Sequence, residues 1–283
     1  MTQLRLFCFG IGYTAQRLAT GLLAEGWQVA GTAREDDSVE ILKKLGIDAV
    51  PFDRNRPLDD PGTLFKGVTH VLSSVPPDDL GDPVLDVCGD ALKADWIGYL
   101  STTGVYGNRD GGMVNEGDVL APTSMRARRR AEAESRWLDL GAHTFRLAGI
   151  YGPGRNVLED VRTGQAKRID KPGHVFSRIH VDDIGQIIRA SMADPNPGRI
   201  YNVCDDEAAS PMEVVSYGCE LLGLSPPPVQ GFTEAERHMT PMARTFWNDN
   251  KRVDNARIKK ELGVELFYPS YREGLAAILK PVQ

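Results

Sequence analysis

The sequence predicts an α/β fold in which helices wind around a parallel sheet, followed by a smaller α-rich lobe. Three observations predict it. Short apolar runs alternate with segments of helical period through the first half of the chain. A glycine turn joins the first apolar run to the first helical segment. The chain has 283 residues, 41% apolar and 25% charged, an ordinary globular composition with length for a large α/β domain and an appendage.

The elements follow in order. Leu4 to Phe9 reads as a buried strand, and Ala15, Leu18, Ala19 and Leu22 recur at helical spacing, ending near Gly26. Gln28 to Thr32 is a second strand. Ile41, Leu42 and Leu45 mark a second helix, closed by Gly46. Ala49 to Phe52 is a third strand, weakened by Pro51, and Thr69 to Ser74 a fourth. Leu85 to Ala94 reads as a helix, Trp96 to Ser101 as a fifth strand, Thr123 to Leu140 as the longest helix and His143 to Leu147 as the next strand. After Tyr151 the rhythm loosens. Helices are expected at Val181–Ala193, Pro211–Leu222, Asp254–Leu262 and Tyr271–Leu279, with proline-rich turns between them. The boundaries expected are 1–152 for the sheet domain and 153–283 for the lobe, with some segments of about 178–204 returning to the sheet.

Composition excludes several classes of function. Lys and Arg total 33 against 39 Asp and Glu, a net charge of −6, which disfavours nucleic acid as a partner. No apolar run approaches the ~18 residues of a membrane span, and Met1 to Gly10 is too short for a signal peptide. The four cysteines form no CxxC pair, and none has a histidine at ligand spacing. The expectation is therefore a cytoplasmic protein with reduced thiols, no metal centre and a small-molecule substrate.

Gly10-Ile11-Gly12-Tyr13-Thr14-Ala15 reads GxGxxA between a strand and a helix. Gly10 permits the tight turn, Gly12 lets a pyrophosphate approach the backbone, and Ala15 lets helix and strand pack closely. The helix N-terminus, through Tyr13, Thr14 and Ala15, then faces the anion. These features together predict a Rossmann-type dinucleotide site. Arg34, after the second strand, favours the 2′-phosphate of NADP, while Glu35 pulls toward NAD. Asp53 ends the third strand and is a candidate for the adenine amine, with a turn-capping role competing. Ser74, Val75 and Pro76 follow the fourth strand and are expected beside the cofactor.

Further motifs stand in a specific order: Ser101-Thr102-Thr103-Gly104-Val105-Tyr106-Gly107, then Arg146-Leu147-Ala148-Gly149-Ile150-Tyr151-Gly152-Pro153-Gly154, then Arg178-Ile179-His180-Val181-Asp182-Asp183, then Tyr201-Asn202-Val203. Together they resemble the extended short-chain dehydrogenase/reductases, the NAD-dependent epimerase/dehydratase family, from about Leu4 to Leu279. The resemblance implies a nicotinamide cofactor and a substrate lobe, often for a nucleotide sugar. It also implies a catalytic Ser/Thr and a YxxxK pair on one helix face. Thr102 matches the Ser/Thr. Glu134 sets the register that puts Arg130 at the lysine position and Arg126 at the tyrosine position. Arginine keeps its proton in proteins, so the pair's acid–base chemistry is absent. This departure resembles the atypical subgroups of the superfamily.

Tyr106 is the candidate replacement acid, with packing at the pocket wall as its competing role. Ser101, Arg130, Gly149 and Tyr151 are expected near the cofactor. Thr103, Arg126, Arg155, Arg178 and Trp247 are the candidates for substrate, the arginines for an anion and Trp247 as an aromatic contact or a packing anchor. The resulting expectation is an NAD(P)-dependent oxidoreductase or epimerase/dehydratase-like enzyme with non-standard catalytic residues, using NADP with NAD as the alternative. It acts on a small polar, nucleotide-sugar-like metabolite. The rival is a non-catalytic NADP(H)-binding redox sensor. Family members often dimerise through helices flanking the tyrosine segment, a contact that the arginine-rich version here opposes by like-charge repulsion, so monomer and homodimer both stay open.

Overall fold

The computed structural model describes residues 3–280 and divides into two units. The first comprises Met1–Thr102, Met125–Arg146 and Gly185–Tyr201; the second comprises Thr103–Ser124, Leu147–Ile184 and Asn202–Gln283.

The first unit carries the body of a seven-stranded parallel sheet. From edge to edge its strands are Ile200–Val203, His143–Leu147, Trp96–Thr102, His70–Ser73, Arg5–Phe9, Gln28–Ala33 and Asp48–Pro51. The order reverses at Arg5–Phe9. The chain winds outward to Asp48–Pro51, then returns to the other side of the first strand. Such a switch point opens a crevice at the carboxyl ends of the strands, where ligands bind in this architecture.

Leu6, Phe7, Cys8 and Phe9 are fully buried, because helices cover both faces of a parallel sheet. Phe7, Phe9, Phe52 and Phe65 meet edge to face. Tyr99 stacks on Trp137, whose indole N–H donates to Asp82 at 2.8 Å. Asp82 in turn caps the helix Pro83–Cys88 through the amides of Val84 and Leu85. This helix is shorter than the sequence predicts: it starts earlier, at Asp82-Pro83, and tightens into a 3-10 turn at Gly89–Ala91. Pro51 ends an edge strand, where the missing donor costs no ladder bond.

The second unit packs the helices Val157–Arg162, Pro211–Leu222 and Tyr271–Leu279 around Tyr151, Leu158, Val214 and Leu275. Ser210 with Glu213 and Ser270 with Glu273 form capping boxes that start two of them, and Gly223 closes the second at φ 65°. Three parallel two-stranded ribbons complete it: Arg178–His180 with Gly149–Tyr151, Val229–Gly231 with Arg168–Asp170, and Arg252–Val253 with Met113–Val114. Segments that the sequence suggests are turns contain the helices Phe232–Glu236 and Pro241–Asn248. Among the described residues no helix is long and apolar enough to cross a membrane.

Candidate functional site

The glycine turn sits at the switch point. Gly10 has φ +76°, which favours glycine. A side chain there would also meet Val75, with Cγ2 at 2.9 Å. Three bonds tie the turn to its neighbours: the Gly10 amide donates to Thr32 Oγ1 (2.9 Å), the Ile11 amide to the Thr32 carbonyl (2.7 Å), and Ser74 Oγ to the Gly10 carbonyl (2.6 Å). Ser74 and Val75 are thereby held against the turn, and Pro76 stands exposed beyond them.

Gly12 is different. It is exposed, and nothing lies within 4 Å of where its Cβ would stand. It heads the helix Tyr13–Ala24, which has no side-chain cap and no acidic residue in its first turn. Tyr13 and Thr14 are partly exposed on that turn, whereas Ala15 is 1% exposed against the sheet. An uncapped twelve-residue helix beside open space suits an anionic ligand, since its first turn carries no acidic residue to answer the dipole.

Arg34 is exposed and pairs with Glu35 at 3.0 Å. A second guanidinium stands beside it, unanticipated by the sequence reading. Arg56 donates to the Arg34 carbonyl at 2.8 Å and pairs with Asp36 at 3.0 Å. Asp53 closes the intervening turn, its Oδ1 accepting from the amides of Asn55 (2.7 Å) and Arg56 (3.0 Å). Arg54 grips the loop after the fourth strand, with a fork onto Asp78 (2.7 and 2.9 Å) and a contact to Asp86 at 2.8 Å. Asp86 also meets Arg136, and Asp79 meets Arg129. Two arginines of the arginine-rich helix thus neutralise carboxylates on that loop and the helix after it.

At the fifth strand Thr102 is partly exposed, while Ser101 is buried and donates to Glu134 at 2.7 Å. Glu134 is itself 1% exposed and takes Arg146 Nε at 3.0 Å. Arg130 is buried; it donates to the Leu100 carbonyl at 2.7 Å and lies 5.7 Å from the Tyr99 ring centroid. Arg126 is exposed.

In the second unit Thr103 is partly exposed at the start of a 3-10 turn, Thr103–Tyr106. Tyr106 is fully buried, and its hydroxyl donates to Asn202 Oδ1 at 2.7 Å. Asn202 is fixed in its turn by the Asp254 carbonyl and by Glu116. Tyr151 is buried, donates to the Ser270 carbonyl at 3.2 Å and meets His180 edge-on. Gly149 pairs with the Ser177 carbonyl, and Arg155 is exposed. Arg178 spans the carbonyls of Phe176 (2.9 Å) and Ala209 (3.0 Å). Trp247 is 9% exposed, packed by His174, Phe176 and Phe232.

Asp205 is 3% exposed, and burial pushes its carboxyl up to about 8 against the pull of the Arg178 charge. A raised folded-state value means this group favours folding below about pH 4, and that contribution is lost as pH rises toward 8. Asp205→Asn removes the titration. The variant is therefore expected to gain melting temperature relative to the parent as pH climbs from 4 to 8 and to hold the gain above it. Paired thermal melts across that range check this; a difference that stays flat with pH sinks it.

No family model matches the chain. It is 30% identical over 278 residues to Protein YeeZ of Escherichia coli strain K12, covering 92% of this chain and 94% of that protein. A solved structure of a functionally unknown conserved protein from Silicibacter pomeroyi shares 48% identity, with 98% of each chain covered and a TM-score of 0.88. The dTDP-glucose 4,6-dehydratase of Bacillus anthracis, solved in complex with NAD, shares the fold at a TM-score of 0.78 and 17% identity, covering 96% of this chain and 94% of that one.

Proposed function

The chain belongs to the family of Escherichia coli Protein YeeZ, and from that premise we propose that it is an NAD(P)-dependent oxidoreductase or epimerase/dehydratase-like enzyme of the atypical extended short-chain type. The observation that carries this reading is the glycine turn at the switch point, where open space at Gly12 meets an uncapped helix N-terminus. A bound nicotinamide supplies hydride transfer. The dTDP-glucose dehydratase neighbour, solved with NAD, supports the dinucleotide and points to a small polar, nucleotide-sugar-like substrate.

In this reading Ser74, Val75 and Pro76 border the dinucleotide, and Thr102 orients the reacting oxygen of the substrate. Arg130, fixed to the sheet by Leu100, adds positive charge beside the cofactor ribose and moves no proton. The proton comes from water or from the substrate, because the Tyr106 hydroxyl already donates to Asn202. That same bond, with arginine at both YxxxK positions, favours the second reading, a non-catalytic NADP(H) sensor.

Calorimetric titration with NADP⁺, NADPH, NAD⁺ and NADH separates the two. Similar affinity for one cofactor's two redox forms is expected of an enzyme that cycles between them. A large preference for one form supplies the differential binding a sensor needs. No binding of any of the four ends both readings.

Arg34 and Arg56, linked through the Arg34 carbonyl, favour NADP, by trading Glu35 and Asp36 for a 2′-phosphate. Arg34→Asp and Arg56→Gln are each expected to weaken NADP about tenfold or more, about 1.4 kcal/mol, while changing NAD little. Equal loss for both dinucleotides overturns the 2′-phosphate assignment.

A further inference from the structure

In the second unit the loop 171–176 is pinned to the segment 247–251. Lys171 Nζ donates to the Trp247 carbonyl. Asn250 donates to the Gly173 carbonyl at 3.0 Å and accepts from the Val175 amide at 3.1 Å. His174 is enclosed by this junction: it is 2% exposed, stacked on Trp247 at 5.2 Å, with Phe176 edge-on at 4.7 Å. Neither of its ring nitrogens has a hydrogen-bond partner. A neutral imidazole carries one N–H and one lone pair, and leaving both unmade in a closed site is unfavourable.

Charge at the junction is unbalanced in the same place. Lys251 is 9% exposed, and its ammonium comes only within 3.6 Å of Asp249, whose other oxygen accepts from Thr123 at 2.7 Å. Lys171 and Lys251 both act on His174, as does Asp249; Glu236 faces Lys171, and Arg109 faces Lys251. Two ammonium groups therefore oppose one carboxylate in acting on an imidazole with an unused donor. Burial and the two ammonium groups hold His174 down to about 4, so it is neutral near pH 7. A water molecule would satisfy the ring and leave the charge excess. An anion answers both deficits at once.

We propose that this junction is a binding site for a small oxyanion, a carboxylate or phosphate group, held by the His174 N–H and the Lys251 ammonium. As a site it stands on the second unit alone. That the anion is part of the substrate rests on the function proposed above, and makes that substrate an acid or a phosphate ester.

The test is a nuclear magnetic resonance titration of His174 in the full chain, with and without inorganic phosphate or acetate. A bound anion favours the charged imidazole, so the His174 midpoint is expected to rise from about 4 by roughly one unit or more. A response to phosphate alone assigns a phosphoryl group, and a response to both assigns a carboxylate-sized subsite. Lys251→Met is expected to abolish the response. His174→Phe, which keeps an aromatic ring against Trp247, is expected to lose phosphate binding by calorimetry. A midpoint in the parent protein that neither anion moves overturns the proposal without recourse to variants; so does a response undiminished in Lys251→Met. Dinucleotide binding together with a silent His174 refutes this inference alone. An anion-responsive His174 in a protein that binds no dinucleotide refutes the enzyme reading and leaves the site standing.

Discussion

Gly12→Val is expected to remove dinucleotide binding while leaving the fold intact. Open space surrounds the missing side chain, and the backbone there is extended at φ −97°, so valine is accommodated without strain. Valine heads a helix less well than glycine, a cost of under about 1 kcal/mol. The branched side chain would fill the space that a pyrophosphate needs against the helix N-terminus. The dissociation constant is expected to rise on the order of 100-fold, about 2.7 kcal/mol.

Gly10→Val serves as its counterpart. It forces a β-branched residue into φ +76°, at about 1–2 kcal/mol for the left-handed backbone, and drives Cβ into Val75. Binding and stability are expected to fall together in that variant. Calorimetry and thermal melts on the pair distinguish a phosphate turn from a turn kept only for packing. If Gly12→Val binds dinucleotide as the parent does, the phosphate assignment is wrong.

The largest loss of stability is expected at Glu134. Its carboxylate is 1% exposed and is shared between the hydroxyl of Ser101 and the guanidinium of Arg146, itself 3% exposed. Glu134→Ala takes the carboxylate away from the buried Arg146 guanidinium and leaves Ser101 without its acceptor. The expected cost is about 3–5 kcal/mol, by the general behaviour of buried ion pairs that lose one partner. Replacing both members, Glu134→Leu with Arg146→Met, is expected to recover most of it, because neither partner then leaves the other's charge behind. Urea unfolding of the three variants measures both values. A loss under about 1 kcal/mol for Glu134→Ala would be falsified behaviour for a buried pair and would mean that solvent reaches Arg146.

Much of this architecture is legible in the residues. Leu6 to Phe9 form a continuous apolar run because a parallel sheet is covered on both faces, and Ala15, Leu18, Ala19 and Leu22 are the buried residues of the helix that follows. The helices Val181–Ala193, Pro211–Leu222 and Tyr271–Leu279 have the bounds that their periodicity suggests. The two- and three-residue strands of the second unit are not legible, since Arg252–Val253 or Gly149–Tyr151 is too short to display a period. Their existence depends on partners far along the chain.

The candidate sites divide in the same way. A glycine turn is local: positive φ at Gly10 and the open space at Gly12 follow from missing side chains at fixed spacing, so the sequence alone determines the turn. So is the inability of Arg126 and Arg130 to exchange a proton near neutral pH, which follows from residue type. Tertiary structure alone decides what the other polar groups do. It places Arg56 beside Arg34 across 22 residues, gives the Tyr106 hydroxyl to Asn202 across 96, and encloses His174 under Trp247 with neither nitrogen bonded. The reason is physical. Backbone conformation is governed by neighbouring residues, whereas a side chain's charge, proton and hydrogen bonds are settled by whatever the fold packs against it.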